Sequence, residues 1–84
     1  MARNWAPLLE SSDWKDRLKG EIMFLSDKYE KLGHMLERYA RHELSFQPKC
    51  SFELLVEQHN AMGSYLNILL LRAVIEGVQV EDDK

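Results

Sequence analysis

The segment from Asn60 to Gly77, NAMGSYLNILLLRAVIEG, constrains the fold of this chain more than any other part of its sequence. A helix drawn through it is apolar on nearly every side, which is typical of a helix that is buried all round. Its apolar stretch, residues 61–75, is shorter than the roughly twenty residues of a membrane-spanning helix and contains Ser64, Asn67 and Arg72. We therefore expect this helix to be buried against protein, with no membrane involved.

Two sets of mainly apolar residues recur at spacings of three and four, and each set predicts a long helix with one packing side. We call each set a seam. The first seam predicts a helix from about Asp13 to about His42. Pro48 then interrupts the helical pattern, Ser51 is suited to cap a second helix, and Gly77 is suited to end it. The seam residues are Leu18, Ile22, Leu25, Tyr29, Leu32, Leu36 and Tyr39 in the first helix, and Phe52, Leu55, His59, Met62, Leu66, Leu69 and Ala73 in the second.

The predicted fold is all-α, an antiparallel two-helix hairpin over residues 13–77. Pro7 favours a short helix within the apolar N-terminal arm, residues 1–12. We expect this arm to pack on the hairpin or on a neighbouring molecule. The charged C-terminal tail, residues 78–84, is expected to fray.

A single hairpin would leave much of the second helix uncovered. Leu71, Val74 and Ile75 lie outside its seam and are also apolar, and soluble monomers rarely expose a large contiguous apolar patch. The chain has 84 residues and one cysteine, Cys50, so its core is thin and no internal disulfide stabilises it. We therefore predict a homo-oligomeric helical bundle in which the second helices of different subunits pack together. The predicted interface residues are Met62, Leu66, Leu69, Leu70 and Ala73.

The charge distribution bears on the partners that this chain can bind. The net charge is -3, with nine Lys or Arg against eight Asp or Glu in residues 1–49 and two against six in residues 50–84. Duplex nucleic acid requires a basic surface, so we expect no binding to it. The N-terminal region lacks the apolar run of a signal peptide, which predicts a cytoplasmic protein.

The titratable residues form no recognisable catalytic or metal-binding pattern. His34 and His42 are eight residues apart, whereas zinc ligands on one helix lie one turn apart. Cys50 precedes a helix without an accompanying base. We therefore expect no enzymatic activity, no metal site and no cofactor. His59 lies in the second seam, either as a half-buried histidine with a hydrogen-bond partner or as a polar contact that sets register or binds ligand.

Other polar residues also have two interpretations. A polar stripe on the second helix is either a solvated face or, toward its C-terminal end, a set of hydrogen bonds to another subunit or a ligand. Arg72 pairs either with Glu76, one turn on, or with a phosphate or a partner's carboxylate. Cations of the first helix either pair with neighbouring acids or contact an anionic ligand. In the second case a base of the ligand would stack on an aromatic ring, that of Trp14, Tyr29, Tyr39 or Tyr65. The stripe comprises Glu53, Glu57, Asn60, Ser64 and Asn67, and the cations are Lys28, Lys31, Arg38 and Arg41.

Short motifs in both helices resemble a known family. The first half, WKDRLKGEIMFLSDKYEKLGHMLERY, has an aromatic residue at the helix start, an E-I pair seven residues later and a Lys-rich middle followed by glycine. The second, CSFELLVEQHNAMGSYLNILLLRA, has a capped helix entry, a glutamine, an A-M pair and a terminal R-A. From about Trp14 to Ala73 this pattern is similar to the helical-hairpin domain of phage anti-defence sponges, the anti-CBASS and anti-Thoeris proteins that sequester nucleotide second messengers.

The resemblance implies a compact homo-oligomer, often a hexamer in that family, that binds cyclic oligonucleotides or cyclic ADP-ribose isomers without cleaving them. Trp14 matches the aromatic residue at the ligand site, Lys28 or Lys31 a phosphate-contacting lysine, and Arg72 the arginine of the last helix. With Asn67 from the polar stripe, these residues form the predicted ligand-binding set. The alternative is a phage-type inhibitor or adaptor that binds a host protein through its helical surface, and a third possibility is a structural assembly factor without a ligand.

Overall fold

The computed structural model describes residues 5–80, and within them the chain forms three helices and no strand. The helices are α1 (Ala6–Leu9), α2 (Trp14–Ala40) and α3 (Phe52–Glu76). Contacts between α2 and α3 run in opposite order along the two helices, since the ring of Tyr39 lies 5.1 Å from that of Phe52 while Leu18 shares a core with Ala73. The predicted all-α class is confirmed, and α2 and α3 form an antiparallel hairpin.

The helix ends follow from local capping chemistry. The Asp13 carboxylate accepts a hydrogen bond from the Lys15 amide at 3.0 Å, and the Ser51 hydroxyl accepts one from the Leu54 amide at 3.1 Å. Each side chain satisfies an amide that has no partner inside its helix. Gly77 ends α3 with a left-handed φ of 70°, as its lack of a side chain predicts.

The first long helix ends slightly earlier than its sequence pattern predicts. His42, the predicted end, adopts a left-handed φ of 60°. Its amide donates to the Tyr39 carbonyl at 3.0 Å, and the Glu43 amide donates to the Arg38 carbonyl at 2.8 Å. These bonds close the last turn and satisfy carbonyls at the end of α2, so the helix stops at Ala40.

The core of the hairpin lies where the two predicted seams meet. Leu18, Ile22 and Leu25 of α2 are buried against Leu69 and Ala73 of α3. Burial of large aliphatic side chains is the main source of stability in a domain of this size. The seam prediction is confirmed for these five residues, and two further seam residues, Met62 and Leu66, are partly buried and pack against the same cluster.

The chain after α3 is packed more closely than the sequence predicts. The amide of Val78 donates to the carbonyl of Ala73 at 2.8 Å, which turns the chain back after Gly77. The Val78 side chain is 8% exposed and belongs to the core, with Val80 packed against it. The packed unit therefore continues past residue 77 to Val80, and residues 81–84 of the predicted tail lie outside the described residues.

The N-terminal arm packs on its own hairpin. The ring of Trp5 meets the ring of Phe24 edge-on, with centroids 4.7 Å apart. A Cβ atom placed on Gly20 would lie 2.9 Å from the Leu8 Cβ and 3.0 Å from the Leu9 amide nitrogen. Glycine at this position in α2 therefore lets α1 approach closely. Residues 1–4 of the arm are not among those described.

Candidate functional site

A stacked pair of rings lies between the two long helices near their middle. The rings of Tyr29 on α2 and His59 on α3 are 4.1 Å apart at their centroids and 7° from parallel. A Cβ on Gly33 would lie 3.1 Å from the Nε2 atom of His59, and a Cβ on Gly63 would lie 3.1 Å from the Cε1 atom of Tyr29. Each helix thus presents a glycine to the ring of the other, and the two glycines permit this close approach.

An open depression of about 440 Å³ lies beside this stack along α3. Asn60, Ser64 and Asn67 line it at spacings of four and three residues, which puts them on one side of the helix. Carboxamides and hydroxyls both donate and accept hydrogen bonds and carry no charge. The C-terminal end of the predicted polar stripe therefore lines a concave surface suited to hydrogen-bonding. The lining residues are Tyr29, Asn60, Gly63, Ser64, Leu66 and Asn67.

The predicted ligand-binding residues on α2 lie at different levels of that helix. Trp14, its first residue, is exposed. The ammonium group of Lys28 lies 5.5 Å from the centroid of the Phe24 ring, and the ammonium group of Lys31 lies 3.1 Å from a carboxylate oxygen of Asp27. Lys31 thus forms the surface pairing that one of the two interpretations predicted. Neither lysine lines the depression.

On α3 the two predicted ligand residues lie on different sides. Asn67 lines the depression, whereas Arg72 is exposed outside it. They are five positions apart, which is a rotation of about 140° around an α-helix. Within residues 5–80 the only salt bridge is the one between Lys31 and Asp27, so the predicted pair of Arg72 with Glu76 is not formed. A single chain does not bring the five predicted ligand residues to one place.

One side of α3 is apolar and uncovered in the single chain. We call it the outer α3 face, and it consists of Ile68, Leu71, Val74 and Ile75, which are 58%, 63%, 79% and 80% exposed. Leu69 and Ala73 face α2. Leu71 is two positions from each of them, a rotation of about 200° around the helix, so the outer α3 face points away from α2.

Two of the five residues predicted for the subunit interface are buried inside the single chain. Leu69 and Ala73 are 2% and 3% exposed and belong to the chain's own core, because their side of α3 faces α2. Met62 and Leu66 are packed against that core. Of the five residues predicted for the interface, Leu70 is the most accessible, at 41%. The most exposed apolar residues of α3 are instead those of the outer α3 face.

Asn60, Gly63 and Tyr29 line the depression but were not among the predicted ligand residues. The signal for Asn60 was its place in the polar stripe, seven residues before Asn67. Tyr29 was among the aromatic rings considered for stacking on a ligand. For Gly63 the signal was weak, because its contact with Tyr29 depends on how α2 and α3 are aligned. Among residues 5–80 no group of three or more His, Cys, Asp or Glu is placed to hold a metal ion, and no helix there is long and apolar enough to cross a bilayer.

Comparison with curated proteins and with solved structures gives no significant match. A profile of the Sequestin family, in contrast, matches residues 12–75, which is well over half of the chain. The matched region includes the stretch from Trp14 to Ala73 on which the resemblance to anti-defence sponges rests, and it confirms that prediction. It covers all of α2 and nearly all of α3, including the stacked rings and the depression. The chain belongs to the Sequestin family.

Proposed function

We propose that this protein binds and sequesters a cyclic nucleotide that serves as an immune second messenger, and that it does so as a phage-encoded protein in the host cytoplasm. The family match over residues 12–75 is the observation that carries the proposal, because the family is named for sequestration. The polar depression beside Tyr29 supports it, since its lining offers hydrogen bonds and an aromatic ring to a small ligand.

We further propose that binding occurs without catalysis. The groups that line the depression are two carboxamides, a hydroxyl, a phenol, a leucine side chain and a glycine. Carboxamides hydrogen-bond well but do not ionise near neutral pH, so they suit recognition better than general acid–base chemistry. Sequestration needs affinity alone, because each bound molecule is withdrawn from the receptor that it would activate.

The outer α3 face is the proposed contact between subunits. Ala61, Ser64, Ile68, Leu71 and Ile75 recur at spacings of three and four, the pattern of a heptad seam. Burial of each exposed isoleucine or leucine would contribute about 1.5 to 3 kcal/mol. Ser64 belongs both to this seam and to the depression, so a second copy on this face would border the open side of the depression.

Assembly would also account for the separation of the predicted ligand residues. Trp14 and Arg72 lie toward the ends of their helices, while Lys28 and Lys31 lie on the middle of α2. We propose that residues from different subunits together form the complete binding site. On this proposal Asn67, which lines the depression and is close to the outer α3 face, lies where two subunits and the ligand meet.

A thermal-shift experiment tests the proposed ligand class. The protein is melted with a panel of cyclic dinucleotides, cyclic trinucleotides and cyclic ADP-ribose isomers, with linear dinucleotides as matched controls. A ligand at about one hundred times its Kd stabilises the folded state by about 2.7 kcal/mol, which raises the Tm of a domain this size by roughly 15 °C. Recovery of the ligand unchanged by chromatography is expected. If none of the cyclic compounds raises the Tm, the proposal is contradicted.

Binding to a host protein is a second candidate function, and the outer α3 face is the observation that favours it. An apolar surface with Val74 and Ile75 about four-fifths exposed could be covered by another protein instead of a second copy. This alternative predicts a monomer that gives no thermal shift with cyclic nucleotides and forms a stoichiometric complex with a host enzyme. Analytical ultracentrifugation of the purified protein separates the two candidates, because only the first predicts self-association.

A further inference from the structure

We propose that the depression on α3 holds a purine base and reads its hydrogen-bonding edges through Asn60 and Asn67, with adenine preferred over guanine. This inference rests on the proposed sequestration of a cyclic nucleotide. It names the part of the ligand that the depression recognises.

The lining of the depression is polar and uncharged, which suits a base better than a phosphate. A phosphate is best held by cations, but Lys31 pairs with Asp27 at 3.1 Å and Lys28 lies over the Phe24 ring. Neither lysine lines the depression. Carboxamides and a hydroxyl instead match a neutral group with donors and acceptors on its edges.

The spacing of the two carboxamides suits a fused ring. Asn60 and Asn67 are seven residues apart, or about 10 Å along the helix axis, and Ser64 lies between them. A purine with a hydrogen bond of about 2.9 Å at each end spans a distance of this order, whereas the single ring of a pyrimidine is shorter. The base would then lie over Ser64 and Gly63 with one carboxamide at either edge.

The Tyr29 ring is held in place beside this position. His59 covers one face of the ring at 4.1 Å. Gly63 admits the ring close to the α3 backbone, since a Cβ there would lie 3.1 Å from Cε1 and 3.3 Å from the hydroxyl oxygen. The ring therefore forms a fixed aromatic wall, and Leu66 adds apolar contact. A wall that needs no rearrangement favours binding of a flat ligand.

The carboxamide also determines which purine is preferred. It presents one donor and one acceptor side by side, the complement of the amino group and ring nitrogen of adenine. The major-groove edge of guanine has two acceptors, which suit arginine or lysine. The Watson–Crick edge of guanine has two adjacent donors, the ring N1–H and the amino group, which suit a carboxylate. Replacing the carboxamide by a carboxylate of the same shape should therefore move the preference from adenine toward guanine.

Isothermal titration calorimetry on the full chain tests this inference, with cyclic di-AMP, cyclic di-GMP and cyclic di-UMP as probes. The wild-type protein is expected to bind cyclic di-AMP most tightly and cyclic di-UMP most weakly. Asn60→Asp and Asn67→Asp are each expected to weaken cyclic di-AMP binding about tenfold, and to reduce or reverse its advantage over cyclic di-GMP.

Gln58→Glu is the matched control, because it makes the same change of amide to acid on an exposed part of α3 outside the depression. It should weaken the binding of all three probes equally or not at all. The uncharged variants Asn60→Ser and Asn67→Ser should also lose the preference for adenine, without added charge. Circular dichroism melts confirm that each variant is folded.

The outcomes separate this inference from the proposed function. Cyclic nucleotide binding that keeps its base preference in all four variants would overturn the base-reading site and leave sequestration intact. A wild-type preference for cyclic di-UMP or cyclic di-GMP would do the same. If the wild-type protein binds no cyclic nucleotide at all, the proposed function fails and this inference fails with it.

Discussion

Tyr29 of α2 and His59 of α3 stack face to face, with ring centroids 4.1 Å apart. Each ring lies against a glycine of the opposite helix, His59 against Gly33 and Tyr29 against Gly63. Glycine in the middle of a helix costs about 1 kcal/mol relative to alanine. At these two positions that cost is offset by close packing, and the stack aligns α2 with α3 beside the depression.

The first prediction concerns Gly33. Alanine there usually stabilises a helix, but its Cβ would lie 3.1 Å from the His59 Nε2 atom, and the stacked ring has little room to move. Gly33→Ala should therefore destabilise the fold by about 1 to 3 kcal/mol in urea unfolding. In a His59→Ala background the clash is removed, so the same change should stabilise by about 0.5 to 1 kcal/mol. An equal effect in both backgrounds would argue against close packing at this position.

The second prediction concerns the cap of α3. The Ser51 hydroxyl accepts a hydrogen bond from the Leu54 amide, so Ser51→Ala should lower the free energy of unfolding by about 1 kcal/mol. Ser45→Ala, in the loop between α2 and α3, is the matched control and should change stability by less than about 0.5 kcal/mol. Chemical denaturation measures both, and a similar loss in the two variants would contradict the capping role.

The third prediction concerns the chain after Gly77. Val78 is buried in the core, whereas the adjacent Gln79 is exposed. Val78→Ala should destabilise the protein by about 1 to 2 kcal/mol, since it removes two buried methyl groups and leaves a cavity. Gln79→Ala should have little effect in the same thermal unfolding measurement. If Val78→Ala also leaves the stability unchanged, this segment does not contribute to the core.

The fourth prediction concerns the outer α3 face. Leu71→Glu and Ile75→Glu place charges where the proposed subunits meet, so each should reduce the oligomer to a smaller species while helix content is retained. Phe46→Glu is the matched control, because Phe46 is 55% exposed in the loop before α3. Size-exclusion chromatography with light scattering measures the mass. A mass unchanged by either α3 variant would show that subunits associate elsewhere or not at all.

Local sequence signals predicted much of the fold and less of the site. The cap at Ser51, the end at Gly77 and the seam residues Leu18 and Leu69 follow from helical periodicity and capping, which depend on near neighbours. The burial of Val78 does not, because it requires the chain to turn back onto a core built from both helices. The contact of Gly63 with Tyr29 likewise depends on the alignment of two helices that are distant in sequence.

The side of α3 that faces α2 was hard to predict for a related reason. Because α3 is apolar on nearly all sides, its periodicity does not show which side packs on α2 and which is left uncovered. Leu69 and Ala73 face α2, and Leu71 and Ile75 do not. The predicted ligand residues remain proposals, since Asn67 and Arg72 come together only if more than one chain contributes to the site.

Native mass spectrometry tests whether this protein sequesters a cyclic nucleotide as an oligomer. The protein is co-expressed with a cyclic dinucleotide synthase, purified without added ligand and measured at once, with expression beside an inactive synthase as the control. We predict an oligomer that carries cyclic nucleotide of unchanged mass, released intact on denaturation and missing from the control. A monomer without ligand from the active-synthase culture, or the release of a linearised product, would contradict it.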